Sequence, residues 1–166
     1  MNKLNDYFVK NMNEGKSQDS INYLKSRNLE GVDIKEFKIG FAEKNESDTL
    51  KFINTLGISK NELRNLGLLS DKGNLLFKNR IMFPITNFRN DTIGFGGRAI
   101  EDFGPKYINS ADSGVYKKNR ALYFTDNFLS EVKKKKFVII VEGYFDVIAF
   151  NKLGFANAAS PSGTAL

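Results

Sequence analysis

The chain has no cysteine, no histidine and no tryptophan. Without thiols or imidazoles it cannot build a zinc ribbon, a disulfide, a thiol nucleophile or an imidazole base. Transfer or hydrolytic chemistry must therefore rest on carboxylates, lysine, arginine and metal ions held by oxygen ligands. The absence of cysteine fits a reducing compartment. Long apolar runs are missing too. The longest, FVIIV at 137–141, is far too short to cross a bilayer, and the polar first residues do not form a signal peptide. The expectation is a cytoplasmic protein with no membrane partner.

What is present suits a folded core. The 166 residues can hold one ordinary domain, or one domain and the start of another. Apolar residues make up 41% of the chain, with 15 Phe and 6 Tyr, which argues against wholesale disorder. A net charge of +6 fits a polyanionic partner without demanding one.

Up to about residue 69 the chain reads as short helices. Leu4, Tyr7, Phe8 and Met12 fall at helical spacing, and a second helix is expected over 18–26 with Ser17 as its cap. Ser59 and Glu62 have capping-box spacing ahead of Leu63 and Leu66. The segment FKIGF at 37–41 is either a short strand or a helix end. From residue 74 the pattern turns to strands: 80–85 and 92–98 flank a polar turn at 87–91, and Pro84 implies an edge or irregular position. A second loop opens at Gly104 and Pro105 and runs to about residue 119. The lysine run 133–136 reads as a solvated helix end or linker. After it, the all-apolar 137–141 is expected to be a parallel strand covered on both faces. A helix over 146–153, stopped by Gly154, would complete the opening of a βαβ unit.

Three segments carry candidate chemistry. In VEGYFDV at 141–147, Glu142 ends an apolar strand, where open α/β sheets place their ligands, and Gly143 would permit a tight turn. Asp146 follows at i+4, so the two carboxylates can share a face and suit Mg²⁺ or Mn²⁺. Equally, Asp146 can be a helix cap and Glu142 a solvated strand end. In GFGGR at 94–98, Gly94, Gly96 and Gly97 allow close backbone approach, either to a phosphate or within a twisted hairpin, and Arg98 could reach a phosphate. In PKYINS at 105–110, followed by Lys117, Lys118 and Arg120, basic groups surround an aromatic and an amide. That suits a nucleoside triphosphate or a single strand, or else an ordinary polar loop.

The order of these segments is more specific than any one of them. RIMFPI at 80–85, GFGGR, PKYINS, VEGYFDV and SGTA at 162–165 together resemble the bacterial DnaG-type primase core; YLKSRNL at 23–29 and FKIGFA at 37–42 resemble that family's helical lead-in. The resemblance implies an α+β N-terminal primase-core subdomain, with short helices and a twisted antiparallel hairpin or sheet, followed by the first βαβ part of an α/β TOPRIM domain. The implied division is 1–132, helical to 69 and strand-rich over 70–132, and then 133–166.

It further implies that Arg80, Arg98, Lys106, Asn109, Lys118 and Arg120 line a groove for single-stranded DNA template and NTPs, with an RNA–DNA hybrid as product. Glu142 would be the general acid/base and, with Asp146, a ligand of Mg²⁺ or Mn²⁺; Gly163 and Thr164 would form the turn after the second TOPRIM strand. The implied reaction is phosphodiester formation: a 3′-hydroxyl attacks an α-phosphate and pyrophosphate leaves, so that short RNA primers are made for DNA replication. The family's zinc ribbon, its Asp-x-Asp motif and its domain for the replicative helicase are not in these 166 residues. By the resemblance, the aspartates that complete the metal site are expected beyond Leu166. The expectation is that this chain alone makes no primers and that the segment after Lys136 exchanges its amide protons faster than the hairpin region. The alternatives are an accessory protein that binds single strands or a primosome partner, and another TOPRIM enzyme such as a type IA topoisomerase or an OLD-type nuclease.

Overall fold

The computed structural model describes residues 1–101 and 104–162. Two sheets organise it. The first is antiparallel, in the order β1 (Gly40–Ala42), β2 (Arg80–Thr86), β3 (Thr92–Ala99), β4 (Tyr107–Asn109). The second has the order β5 (Leu122–Tyr123), β7 (Ala158–Pro161), β6 (Ile139–Ile140), with β7 antiparallel to β5 and parallel to β6.

Five helices surround the first sheet: α1 (Asn2–Asn13), α2 (Gln18–Ser26), α3 (Gly31–Glu36), α4 (Glu46–Thr55) and α5 (Lys60–Asn65). Their starts follow local chemistry. The Ser17 hydroxyl accepts from the Ser20 amide, and Ser59 with Glu62 closes a reciprocal capping box. The ambiguous segment at 37–41 is both things in turn: Phe37 caps α3 and β1 begins three residues later. Pro84 lies in β2, which is central, but β1 reaches only as far as Met82, so Pro84 faces β3 alone and its missing N–H interrupts no ladder to β1.

Side-chain alternation along β2 divides the core. Ile81, Phe83 and Ile85 point to one cluster with Ile39, Phe41 and, from the second lobe, Tyr123, Tyr144, Val147 and Ile148. Met82 points the other way and joins Leu4, Phe8, Ile53, Leu63 and Phe95 beneath the helices. Strands β1 to β3 are therefore buried on both faces, and the junction between lobes is itself core. Phe83 and Tyr144 stack there at 5.0 Å, with Tyr123 edge-on to Tyr144 at 4.8 Å.

The second lobe adds α6 (Phe128–Lys135) and α7 (Tyr144–Lys152), and β6–α7–β7 is the expected βαβ opening. One feature differs from expectation. The segment 137–141 is not a strand covered on both faces: β6 keeps two residues at the sheet edge, and Phe137, Val138 and Ile140 are 42–50% exposed. Apolar composition reports what a segment can bury, whereas the neighbours present decide what it does bury, and among the described residues only β7 pairs with it. Strand β5 precedes residue 133 yet belongs to the second sheet, and α6 runs across position 132. Among the described residues no helix is long and apolar enough to cross a membrane.

Candidate functional site

A cleft of about 450 Å³ opens where β4, α7 and the end of β7 meet. It gathers Glu142, Asp146, Asn109 and Lys118 with Arg27, which comes from the YLKSRNL segment and has no role assigned from the sequence. Two carboxylates and two cations thus line one cleft.

The acidic side is built by local chain geometry. Helix α7 begins at Tyr144, two residues before the expected start, which puts Asp146 at its third position. There the Asp146 carboxylate accepts the Gly143 amide at 3.0 Å, so it is a helix cap and a cleft carboxylate at once. Gly143 needs no special conformation: its φ of −148° is extended backbone, and a Cβ there would meet Asp146 at an ordinary 3.6 Å. Both carboxyl groups are exposed.

Asn109 has little freedom to bind anything else. Its side-chain oxygen accepts the Tyr144 hydroxyl and its amide donates to the Ser162 carbonyl. It ties β4 to α7 and to the end of β7. Burial pushes the Tyr144 phenol well above the usual tyrosine range, so it stays a neutral donor.

The remaining nominated cations lie elsewhere. Arg80 and Arg98 are buried at 7% and 8% exposure and do not line the cleft. Arg80 donates to the carbonyls of Gly97 (3.1 Å), Pro105 (3.0 Å) and Lys106 (3.5 Å), pinning the PKYINS loop to the sheet. Burial, and then the charge of Arg98, hold its pKa below the ordinary arginine value. The Arg98 guanidinium stacks 4.0 Å from the Tyr23 ring centroid and donates to the Ala99 carbonyl, while its Nε has no partner among the described residues. Lys106 and Arg120 are exposed outside the cleft lining. Gly163 and Thr164, expected to form the turn after β7, lie outside the described residues, as does Leu166, beyond which the remaining aspartates were expected.

The glycines of GFGGR serve packing. A Cβ at Gly94 would meet the Tyr116 ring at 2.9 Å, one at Gly96 would run into the Tyr144 hydroxyl and ring, and one at Gly97 would meet the Phe77 ring at 2.7 Å. None of the three has a positive φ. Of the two readings open for this motif, close approach within the protein is the one realised.

Arg27 caps the end of α2, its guanidinium 5.4 Å from the Tyr23 ring and 5.5 Å from the Phe145 ring. The i,i+4 spacing of Tyr23 and Arg27 is visible in the sequence, but the partner that brings Arg27 to the carboxylates, Phe145, is 118 residues away.

For a divalent ion, Glu142 and Asp146 offer the right donor type. Their number is short: no group of three acidic side chains that could hold a metal occurs among the described residues, and hard cations take six or more oxygens.

The family model for the DNA primase catalytic core, N-terminal domain, matches residues 7–129. The chain belongs to that family. A DNA primase from Rickettsia felis is 41% identical over 150 residues, covering 88% of this chain and 25% of its own length. The RNA polymerase domain of Mycobacterium tuberculosis primase DnaG, solved with a double-stranded DNA oligomer bearing a 6-nucleotide overhang, superimposes with a TM-score of 0.89 at 26% identity, over 98% of this chain and 52% of that one. A DnaG primase catalytic domain bound to ssDNA gives 0.82 at 29% identity, over 99% and 52%. The chain thus spans about a quarter of the Rickettsia felis relative and about half of each of these solved primase domains.

Proposed function

We propose that the chain forms the template-and-nucleotide side of a primase catalytic core, working in DNA replication by metal-dependent nucleotidyl transfer. The observation that carries this is the cleft itself, which Glu142 and Asp146 line together with Arg27 and Lys118. Phosphates of a single-stranded template or an NTP are recognised by the two cations, and bases stack on the exposed Tyr107 ring. Arg80 and Arg98 act from behind, fixing the loop and the aromatic floor. Glu142 and Asp146 are the ligands offered to Mg²⁺ or Mn²⁺, which when bound would lower the pKa of the attacking hydroxyl and offset charge on the leaving pyrophosphate. The chain's own groups hold the phosphates in line and orient the acidic side. Division into a core subdomain and a TOPRIM portion, a replicative helicase partner and a cytoplasmic location belong to the same reading, through the family.

With only two acidic ligands described, the chain by itself binds template and nucleotide but makes no primers. The test is fluorescence anisotropy with labelled oligo-dT across a salt series, alongside a primer-synthesis assay with Mg²⁺. Arg27→Ala and Lys118→Ala should each weaken binding and reduce the salt slope by about one unit. Unchanged affinity and slope in both variants would remove the cleft from template binding, and primers made by the 166-residue chain would overturn the claim of inactivity.

A further inference from the structure

Helix α7 presents the acidic side of the cleft in its first turn, yet the first lobe holds it at both ends. At the start, the Phe145 ring meets the Tyr23 ring edge-on at 5.9 Å and lies 5.5 Å from the Arg27 guanidinium. At the end, Lys152 Nζ donates to the Asn28 carbonyl at 2.8 Å and to Asp33 Oδ2 at 2.7 Å. That same Asp33 oxygen accepts the Glu30 amide at 2.8 Å, so the group that holds Lys152 also starts α3. Asn28, whose carbonyl is gripped, follows Arg27 directly and takes a left-handed φ of 58°. Lys152 therefore grasps the turn that aims Arg27, from the helix whose other end carries Asp146.

The pair is only partly open, with side chains 36% and 13% exposed, and its bonds join two segments far apart in sequence. We propose that the bond set of Lys152 with Asp33 and Asn28 is a positioning clamp: it fixes the separation between Arg27 and the Glu142–Asp146 pair across the cleft. Lys152 touches neither ligand nor metal and acts through the α2–α3 turn. The proposal rests on the reading of the cleft as a phosphate and metal site. A second inter-lobe pair supplies the control, since Lys38 reaches Asp126 at 2.7 Å and involves neither α7 nor the Arg27 turn.

Because the chain has no cysteine, spin labels can be placed cleanly at Lys25→Cys on α2 and Ala149→Cys on α7, both exposed positions. Pulsed dipolar spectroscopy should give one narrow distance distribution. Lys152→Met should broaden it, whereas Lys152→Arg, which can still donate to both acceptors, and Lys38→Met should not. In the unlabelled chain, Lys152→Met should weaken oligo-dT and Mg–ATP binding about tenfold, with Lys152→Arg restoring it. The unfolding midpoint should fall by no more than about 4 °C. An unchanged distance distribution in Lys152→Met overturns the clamp. So does an affinity loss shared equally by Lys38→Met, which would make it general destabilisation. If the parent chain binds neither oligo-dT nor Mg–ATP, the reading of the cleft fails, and the distance measurement still decides the clamp: broadening reversed by Lys152→Arg supports it, and no broadening overturns it.

Discussion

The Tyr144 phenol occupies the volume that a side chain at position 96 would need, so β3 and the helix carrying Asp146 fit together only because residue 96 is glycine. The ring is clamped between Phe83 and Tyr123, and its hydroxyl is held by Asn109. It has no room to step aside. Gly96→Ala should therefore destabilise the chain by about 1–3 kcal/mol through overpacking. The measurement is urea unfolding. Adding Tyr144→Phe should recover part of the loss, because the hydroxyl is the nearest atom to the new methyl. A neutral Gly96→Ala would show that the helix can shift without cost.

Arg80 and Lys118 should separate stability from binding. Arg80→Met leaves the carbonyls of Gly97, Pro105 and Lys106 without their charged donor, and should cost about 2–3 kcal/mol and speed amide exchange over 104–109. Lys118→Ala, an exposed side chain with no ion pair among the described residues, should leave the unfolding midpoint alone and weaken oligonucleotide binding. Equal stability of both variants would contradict the assignment of Arg80 to the loop.

Glu46 gives a pH dependence with a defined sign. A hydrogen bond from Lys78, opposed by burial and aided by the Leu75 amide, holds its carboxyl below the ordinary value of 4.5. The folded state thus binds its proton less readily than the unfolded chain. The stabilisation is fully present above pH 4.5 and is lost as pH falls through the lowered folded value. Glu46→Gln should lower stability at neutral pH and make the fall in stability below pH 4.5 shallower. Denaturant titrations at several pH values read this directly; an acid limb identical to the parent's would show that Glu46 contributes nothing to it.

Much of the fold is legible in the sequence because its determinants are local. Ser17, Ser59 and Glu62 announce helices within one turn, and the hairpin of β2 and β3 shows in alternation on either side of a polar turn. The β6–α7–β7 unit is legible for the same reason. What the sequence does not show depends on distant partners. Strand β5 is two residues long and exists only because β7 pairs with it, and the exposure of 137–141 depends on which neighbours are present. The carboxylates and Lys118 follow from residue type and position. Arg27 escapes such reasoning because its tie to the cleft runs through Phe145, and the burial of Arg80 and Arg98 does not show in their charge.

Strand β2 is a wall shared by two rooms. Ile81, Phe83 and Ile85 are lost to the lobe junction if the second lobe opens, and Met82 is lost to the helical core if the first one does. Neither half can melt without stripping a face from the other, so the cleft between them inherits the cooperativity of the whole chain.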